Sequence, residues 1–163
     1  MPGYRRVIVD EREKGSEVPK YLKRLGLHIV YQLLPVGDYL ISPKCAVERK
    51  TAEDFVKSIY DGRLFEQLRK LTDEYETAIL LVEGDLYSLV DISTRPRSLL
   101  GALAYAALGF GAHVFQTPSP RYTAELIATI ALHGEYVRPA APIPVPKRKL
   151  RARTLEELSL IHI

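Results

Sequence analysis

The sequence predicts an α/β protein with a central mixed β-sheet flanked by helices. Three observations carry that prediction. Short β-branched runs alternate with stretches of helical periodicity over residues 5–136. The run Thr77–Val82 (TAILLV) is apolar throughout, as a strand covered on both faces must be. Asp38–Ser42 and Cys45–Lys50 flank the turn Ser42-Pro43-Lys44, which makes them a hairpin. The chain has 163 residues, 47% hydrophobic and 26% charged, a balance that excludes a disordered polymer. No apolar run reaches the roughly 18 residues a membrane span needs, and the start carries no secretory h-region.

In order along the chain, Arg6–Asp10 (RVIVD) reads as a strand ending in an acid, and Glu11–Gly15 as a polar turn. Ser16 caps a helix with Pro19 in its first turn; Val18, Tyr21, Leu22 and Leu25 form its apolar face and Gly26 stops it. His28–Leu34 is a second strand, Pro35–Gly37 turns the chain, and the hairpin follows. Thr51 to about Tyr75 is helical with a break at Asp61-Gly62. After Thr77–Val82, a helix runs from about Pro96 to Leu108 and Gly109–Gly111 turns the chain. The strand Ala112–Gln116 and a helix from Pro120 to about His133 complete the order β-α-β-β-β-α-β-α-β-α. Cys45, His28 and His113 fall on strands as ordinary strand residues.

Beyond this body the composition changes. Pro139–Pro146 has four prolines in eight residues and reads as an extended linker. Thr154-Leu155-Glu156-Glu157 is a capping box that opens a short amphipathic helix, too short to stand alone. The organisation is therefore a body over residues 1–137, a linker over 138–153 and the start of a further helical unit over 154–163. The body is nearly neutral, with 17 Lys/Arg against 18 Asp/Glu, while residues 138–163 carry six basic residues against two acids. A basic tail suits a polyanionic partner. The single cysteine excludes an internal disulfide framework and fits a reducing interior. The absence of asparagine, with one Met and one Cys, points to a heat-loving source.

The chemistry is concentrated in Gly37–Asp54, GDYLISPKCAVERKTAED. Alternate residues of a strand share a face, so Glu48 and Lys50 project together and Arg49 points the other way. Asp38 comes beside Glu48 across the hairpin, Asp54 opens the following helix, and Asp10 ends a neighbouring strand. Carboxylates converging with one lysine suit phosphodiester hydrolysis with Mg²⁺ or Mn²⁺, hard cations that take one or two carboxylates plus phosphate oxygens. On this reading the metal is held by acids from among Asp10, Asp38, Glu48 and Asp54, and Lys50 holds the attacking water or balances transition-state charge. Taken singly, each residue has an ordinary structural explanation: Asp38 a turn, Asp54 a helix start, Glu48 and Lys50 a solvated strand face. The combined order is what points to a site.

That order resembles the nuclease motif of the XPF/Hef family of structure-specific endonucleases, G-D-x(n)-E-R-K-x(3)-D, matched by Gly37, Asp38, Glu48, Arg49, Lys50 and Asp54. Asp10 and Arg12 in VDERE, and Gly62–Gln67 (GRLFEQ), also match what the family shows. The resemblance covers roughly residues 5–136 and implies a restriction-endonuclease-like, PD-(D/E)XK-type fold for a nuclease domain over residues 1–137. It implies an intracellular, nucleoid-associated DNA-repair endonuclease of archaeal type, a homodimer that depends on Mg²⁺ or Mn²⁺ and cuts branched duplex DNA of the 3′-flap or fork kind. Asp38, Glu48, Arg49, Lys50 and Asp54 become catalytic by this carry-over, with Arg49 in a supporting role, and Arg12 and Arg63 face phosphates. Family members continue into a tandem helix-hairpin-helix domain, of which residues 154–163 resemble a first helix cut short. Short family members also imply the sliding clamp PCNA as a partner, although Leu155–Ile163 lacks the initial Gln and terminal aromatic pair of a clamp peptide.

The Gly- and Ala-rich helix Leu99–Leu108 is apolar all round and, with Ile127–Leu132, suits an isologous dimer interface through helices 99–108 and 120–133. Lys147, Arg148 and Lys149 are candidates for phosphate contacts without sequence information. Two competing readings are a catalytically silent subunit that binds DNA or dimerises, and a junction resolvase on the same fold. The retained carboxylates oppose the first; Arg49 within E-x-K and the GRLFEQL segment oppose the second.

Overall fold

A computed structural model describes residues 6–133. Six strands form one sheet in the order β2-β1-β3-β4-β5-β6. β1 (Arg6–Asp10) runs parallel to β2 (His28–Gln32), joined by α1 (Val18–Arg24). The hairpin of β3 (Tyr39–Ser42) and β4 (Cys45–Thr51) lies antiparallel beside β1 through β3. β5 (Thr77–Glu83) and β6 (His113–Thr117) extend the sheet in parallel from β4. The sheet is therefore mixed, as its sequence order predicts.

Strand alternation sorts the side chains into two layers. Val7, Val9, Tyr39, Ile41, Cys45, Val47, Ile79 and Leu81 pack under α1 and α6 (Pro120–Leu132). On the opposite face Leu80 and Val82 pack under α2 (Ala52–Tyr60), α3 (Leu64–Glu74), α4 (Leu86–Ile92) and α5 (Pro96–Ala104). This register puts Glu48 and Lys50 on the α2–α5 side and Arg49 on the α1/α6 side.

Several elements differ from the sequence expectation. α4 has no counterpart in it. Only Leu86 and Val90 are buried in this seven-residue helix, too few to show a period; Asp85 starts it by accepting from the Ser88 N–H at 3.1 Å. The Glu17 position, rather than Ser16, is the N-cap of α1, yet the Ser16 hydroxyl still accepts from the Val18 N–H at 3.1 Å. The helix expected to reach Leu108 is α-helical only to Ala104; Tyr105–Gly109 then widens into a π turn. There the Tyr105 ring occupies the space of a side chain at Gly109, since a Cβ would come within 2.6 Å of it. The ring packs edge-on against Phe65 and Phe110 at 5.3 and 5.1 Å.

The break at Asp61-Gly62 is present and separates α2 from α3. Of the apolar run in α6, Ile127, Ala128, Ile130 and Ala131 belong to the chain's own core, so these residues are not left for a partner. Leu100 and Leu108, by contrast, are 42% and 81% exposed. Cys45 is a buried, free thiol on β4, and burial pushes its pKa up to about 11. The linker 138–153, with Lys147, Arg148 and Lys149, and the helix expected from residue 154 lie outside the described residues. Among the described residues, no helix is long and apolar enough to cross a membrane.

Candidate active site

The site is assembled where the turn before β3 meets β1 and β4. Gly37 adopts φ 88°, a conformation that strains any side chain, and a Cβ there would press on the Ala46 Cβ at 3.4 Å. That turn delivers Asp38 between two strands. Its N–H donates to the Val47 carbonyl at 2.9 Å, and its carbonyl accepts from the Asp10 N–H at 2.8 Å. Its carboxylate Oδ2 accepts from the Arg49 N–H at 2.8 Å. Asp38 is thus fixed by backbone on both sides, with one carboxylate oxygen uncommitted.

Asp38 and Glu48 open on one cleft of about 310 Å³, which Asp10, Arg12, Pro35, Val36, Gly37, Gln67 and Lys70 also line. Burial, and next the charge of Glu48, push the Asp38 pKa up to about 8, against the pull of the Arg49 N–H. Burial likewise raises Glu48, while the Lys50 ammonium opposes that rise. Lys50 follows Glu48 by two positions on the same face of β4, which accounts for its influence. Asp38 and Glu48 are therefore brought together on the cleft, crowded and incompletely neutralised, while Lys50 acts on Glu48 by its charge from the same strand face and is not part of the cleft lining.

Asp10 is 1% exposed, and its carboxylate is engaged differently. Oδ2 accepts from Arg12 Nε at 2.7 Å, and Oδ1 accepts from the Leu34 N–H at 2.8 Å and from Arg12 Nη2 at 3.3 Å. The same Nη2 donates to the Leu34 carbonyl at 2.7 Å. Burial pushes the Asp10 pKa up, but the bonds from Arg12 and Leu34 outweigh it and hold the carboxyl below its usual value. The pair clamps the β2–β3 loop beside the cleft, so Asp10, which also lines the cleft, is engaged by Arg12 and Leu34 where Asp38 keeps an oxygen uncommitted.

Arg49 also stands outside the cleft. Its guanidinium lies on the α1/α6 side, where Nε and Nη2 donate to the two oxygens of Glu83 at 3.0 and 2.6 Å and Nη1 reaches Glu13 at 3.4 Å. Glu83 Oε1 also accepts from Thr123 Oγ1 at 2.6 Å. Arg49 therefore supports the site from beneath, through its backbone bond to Asp38. Asp54 is exposed in the first turn of α2, where its N–H donates to Thr51 Oγ1, and it is not part of the cleft lining. Arg63 is exposed beside Asp61, 3.2 Å away, also off the cleft. Arg12 does line it.

Sequence reasoning missed four residues. Gln67 and Lys70 lie one helical turn apart on α3 and line the cleft, and that spacing after the Gly62 break was the available signal. Glu13 and Glu83 are the buried partners of Arg49; an acid ending an otherwise apolar strand marks Glu83.

The donor set fits a hard divalent cation. Two crowded carboxylates of raised pKa, one with an oxygen uncommitted, match the one or two that Mg²⁺ takes from protein. A buried, unpartnered Gln67 Oε1 adds a further unsatisfied acceptor in a residue of the cleft wall. Among the described residues no group of three or more His, Cys, Asp or Glu is gathered for a metal, so remaining ligands would have to be waters and phosphate oxygens.

Comparison with known proteins shows the family and the fold. The family model described as the ERCC4 domain matches residues 9–130. The chain is 39% identical over 126 residues to the 3′-flap repair endonuclease Xpf of Saccharolobus solfataricus, covering 77% of this chain and 54% of that protein. It thus spans about half the length of that relative. The structure of XPF from Aeropyrum pernix superposes with a TM-score of 0.72 at 43% identity, covering 77% of this chain and 63% of the other. XPF from Aeropyrum pernix in complex with DNA superposes with a TM-score of 0.76 at 42% identity, covering 83% and 68%.

Proposed function

Because the chain belongs to the ERCC4-domain family and has the restriction-endonuclease-like fold of the XPF nuclease domain, we propose that it is a structure-specific DNA-repair endonuclease. It hydrolyses a phosphodiester bond in branched duplex DNA of the 3′-flap or fork type, with Mg²⁺ or Mn²⁺. The observation that carries this reading is the crowding of Asp38 and Glu48 on one cleft, with the charge of Lys50 acting on Glu48 from the same face of β4. Residues 1–137 are the nuclease domain on this reading; 138–153 link it to a helical domain that begins at residue 154.

Asp38 and Glu48 are the residues that would hold the metal, whose bound form supplies an acidified water and neutralises charge on the reacting phosphate. Lys50 orients the attacking water or balances the negative charge that grows on phosphorus. Arg12 and Lys70 at the cleft wall attract and position the phosphate backbone. Arg49, tied to Glu83, fixes the strand whose N–H holds Asp38. Leu100 and Leu108 supply exposed apolar surface for a homodimer, with α6 alongside.

The test is a panel of flap, fork, four-way and linear duplexes cut by the parent chain and by Lys50→Ala in Mg²⁺. The reading expects flaps and forks to be cut first and Lys50→Ala to cut them about 100- to 1,000-fold more slowly. Preference for the four-way junction would make the chain a resolvase, and no cutting with intact binding would make it a silent subunit.

A further inference from the structure

Charge is distributed unevenly over the described surface. Between β1 and β2, the exposed residues of α1 and the turn before it include Lys14, Lys20, Lys23 and Arg24 against Glu11 and Glu17. Two of these lysines converge on one ring: Lys14 Nζ lies 5.0 Å and Lys23 Nζ 5.5 Å from the centroid of Tyr31 on β2. Like charges meet on that ring because its face attracts each of them, which also restricts their rotamers. The nearest acid to Lys14, Glu11 at 3.6 Å, is half exposed, so it neutralises the lysine weakly.

The patch and the cleft share one turn of chain. Arg12 and Lys14 leave the same turn after β1: Arg12 lines the cleft and clamps Leu34, while Lys14 reaches the other way to Tyr31. Arg12 at the cleft and Lys14 over Tyr31 are two residues apart, so a polyanion held at Arg12 has Lys14 and, on the same ring, Lys23 as further cations. We propose that the α1–β2 edge, centred on Tyr31 with Lys14 and Lys23, is a second DNA-contact surface that tracks the backbone of a duplex arm outside the cleft. It rests on the nuclease reading only in taking branched DNA as the partner. Its contribution is to affinity and substrate orientation, since phosphate contacts carry no base information.

The test is equilibrium binding of flap DNA by the full chain, in EDTA, across a salt titration, with Lys14→Gln/Lys23→Gln compared to parent and to Lys44→Gln. Lys44 serves as the control because it sits in the hairpin turn, paired with Glu76. The double variant is expected to bind on the order of tenfold more weakly at low salt and to lose roughly 1.8 from the slope of log affinity against log salt, about 0.9 per phosphate contact. Cleavage at saturating flap DNA should keep its kcat while KM rises, and Lys44→Gln should match the parent in everything. Unchanged affinity and slope in the double variant overturn the proposal and leave the patch to an acidic protein partner; so does a parent that binds no DNA. A parent that binds with the expected charge dependence and never cuts overturns the nuclease reading and leaves this surface standing.

Discussion

Asp38→Asn should abolish cleavage and yet make the metal-free protein more stable. In the folded chain Asp38 titrates at about 8, against an ordinary value of 3.8. The native state therefore holds a proton that the unfolded chain releases. Stability conferred by the neutral carboxyl is complete below pH 3.8 and is lost as pH climbs towards 8, beyond which the loss is constant. Asparagine keeps an oxygen to accept from the Arg49 N–H and never ionises. The rise from 3.8 to about 8 sets a ceiling of about 6 kcal/mol. Glu48 shares the repulsion and water reaches this half-buried group, so the recoverable gain is about 2 kcal/mol, or roughly 4–8 °C in Tm for a chain of this size. Thermal unfolding of parent and variant in EDTA, from pH 4 to pH 9, reads it directly. The gain should be near zero at the acid end, grow through neutrality and level off above pH 8. A variant less stable than the parent at pH 9, or a gain independent of pH, would refute the reasoning and make Asp38 a structural acid.

Other outcomes follow from the same geometry. Lys50→Ala should lower cleavage by about 100- to 1,000-fold with flap-DNA affinity unchanged, measured by single-turnover kinetics beside equilibrium binding. Mg²⁺ should raise the Tm of the parent and leave that of Asp38→Asn/Glu48→Gln unmoved, and chelation should stop cutting. Glu83→Ala strips Arg49 of two short bonds inside the protein, so it should cost about 3 kcal/mol in urea unfolding and slow cutting as Asp38 loosens; Glu83→Gln should recover part of both. Leu108→Glu, at a residue 81% exposed, should turn a dimer into a monomer in sedimentation without lowering Tm.

The acids of the cleft were legible because a strand alternates its faces and a hairpin has one register. Once Cys45–Lys50 reads as a strand, Glu48 and Lys50 must share a side, and Arg49 must leave it. The apolar run of β5 and the break at Asp61-Gly62 were equally plain, since burial on both faces and a glycine at φ 73° leave direct marks on composition. α4 left none. Seven residues with two buried positions do not display a period, and its helix exists because Leu86 and Val90 find α2 and α5 to cover them. How the apolar side of α6 is covered was not legible either, for a related reason. A run of Ile, Ala and Leu shows that cover is needed, while α1 and the sheet face beneath α6 supply it within the same chain.

The sequence alone determined which side chains carry charge, which strand holds them and which of them project together, because these follow from local geometry with a fixed repeat. Tertiary structure decided which of those charges remain available. Asp10 ends β1, and Asp38 is the same residue type in the turn that leads into the adjacent β3. The first is saturated by Arg12 and the Leu34 N–H, the second receives one backbone bond and faces Glu48. Arg49 is joined to a carboxylate thirty-four residues away. A carboxylate's affinity for a proton or a cation depends on burial and on the donors around it. Those are set by where distant segments of the chain cross, and no local pattern records that.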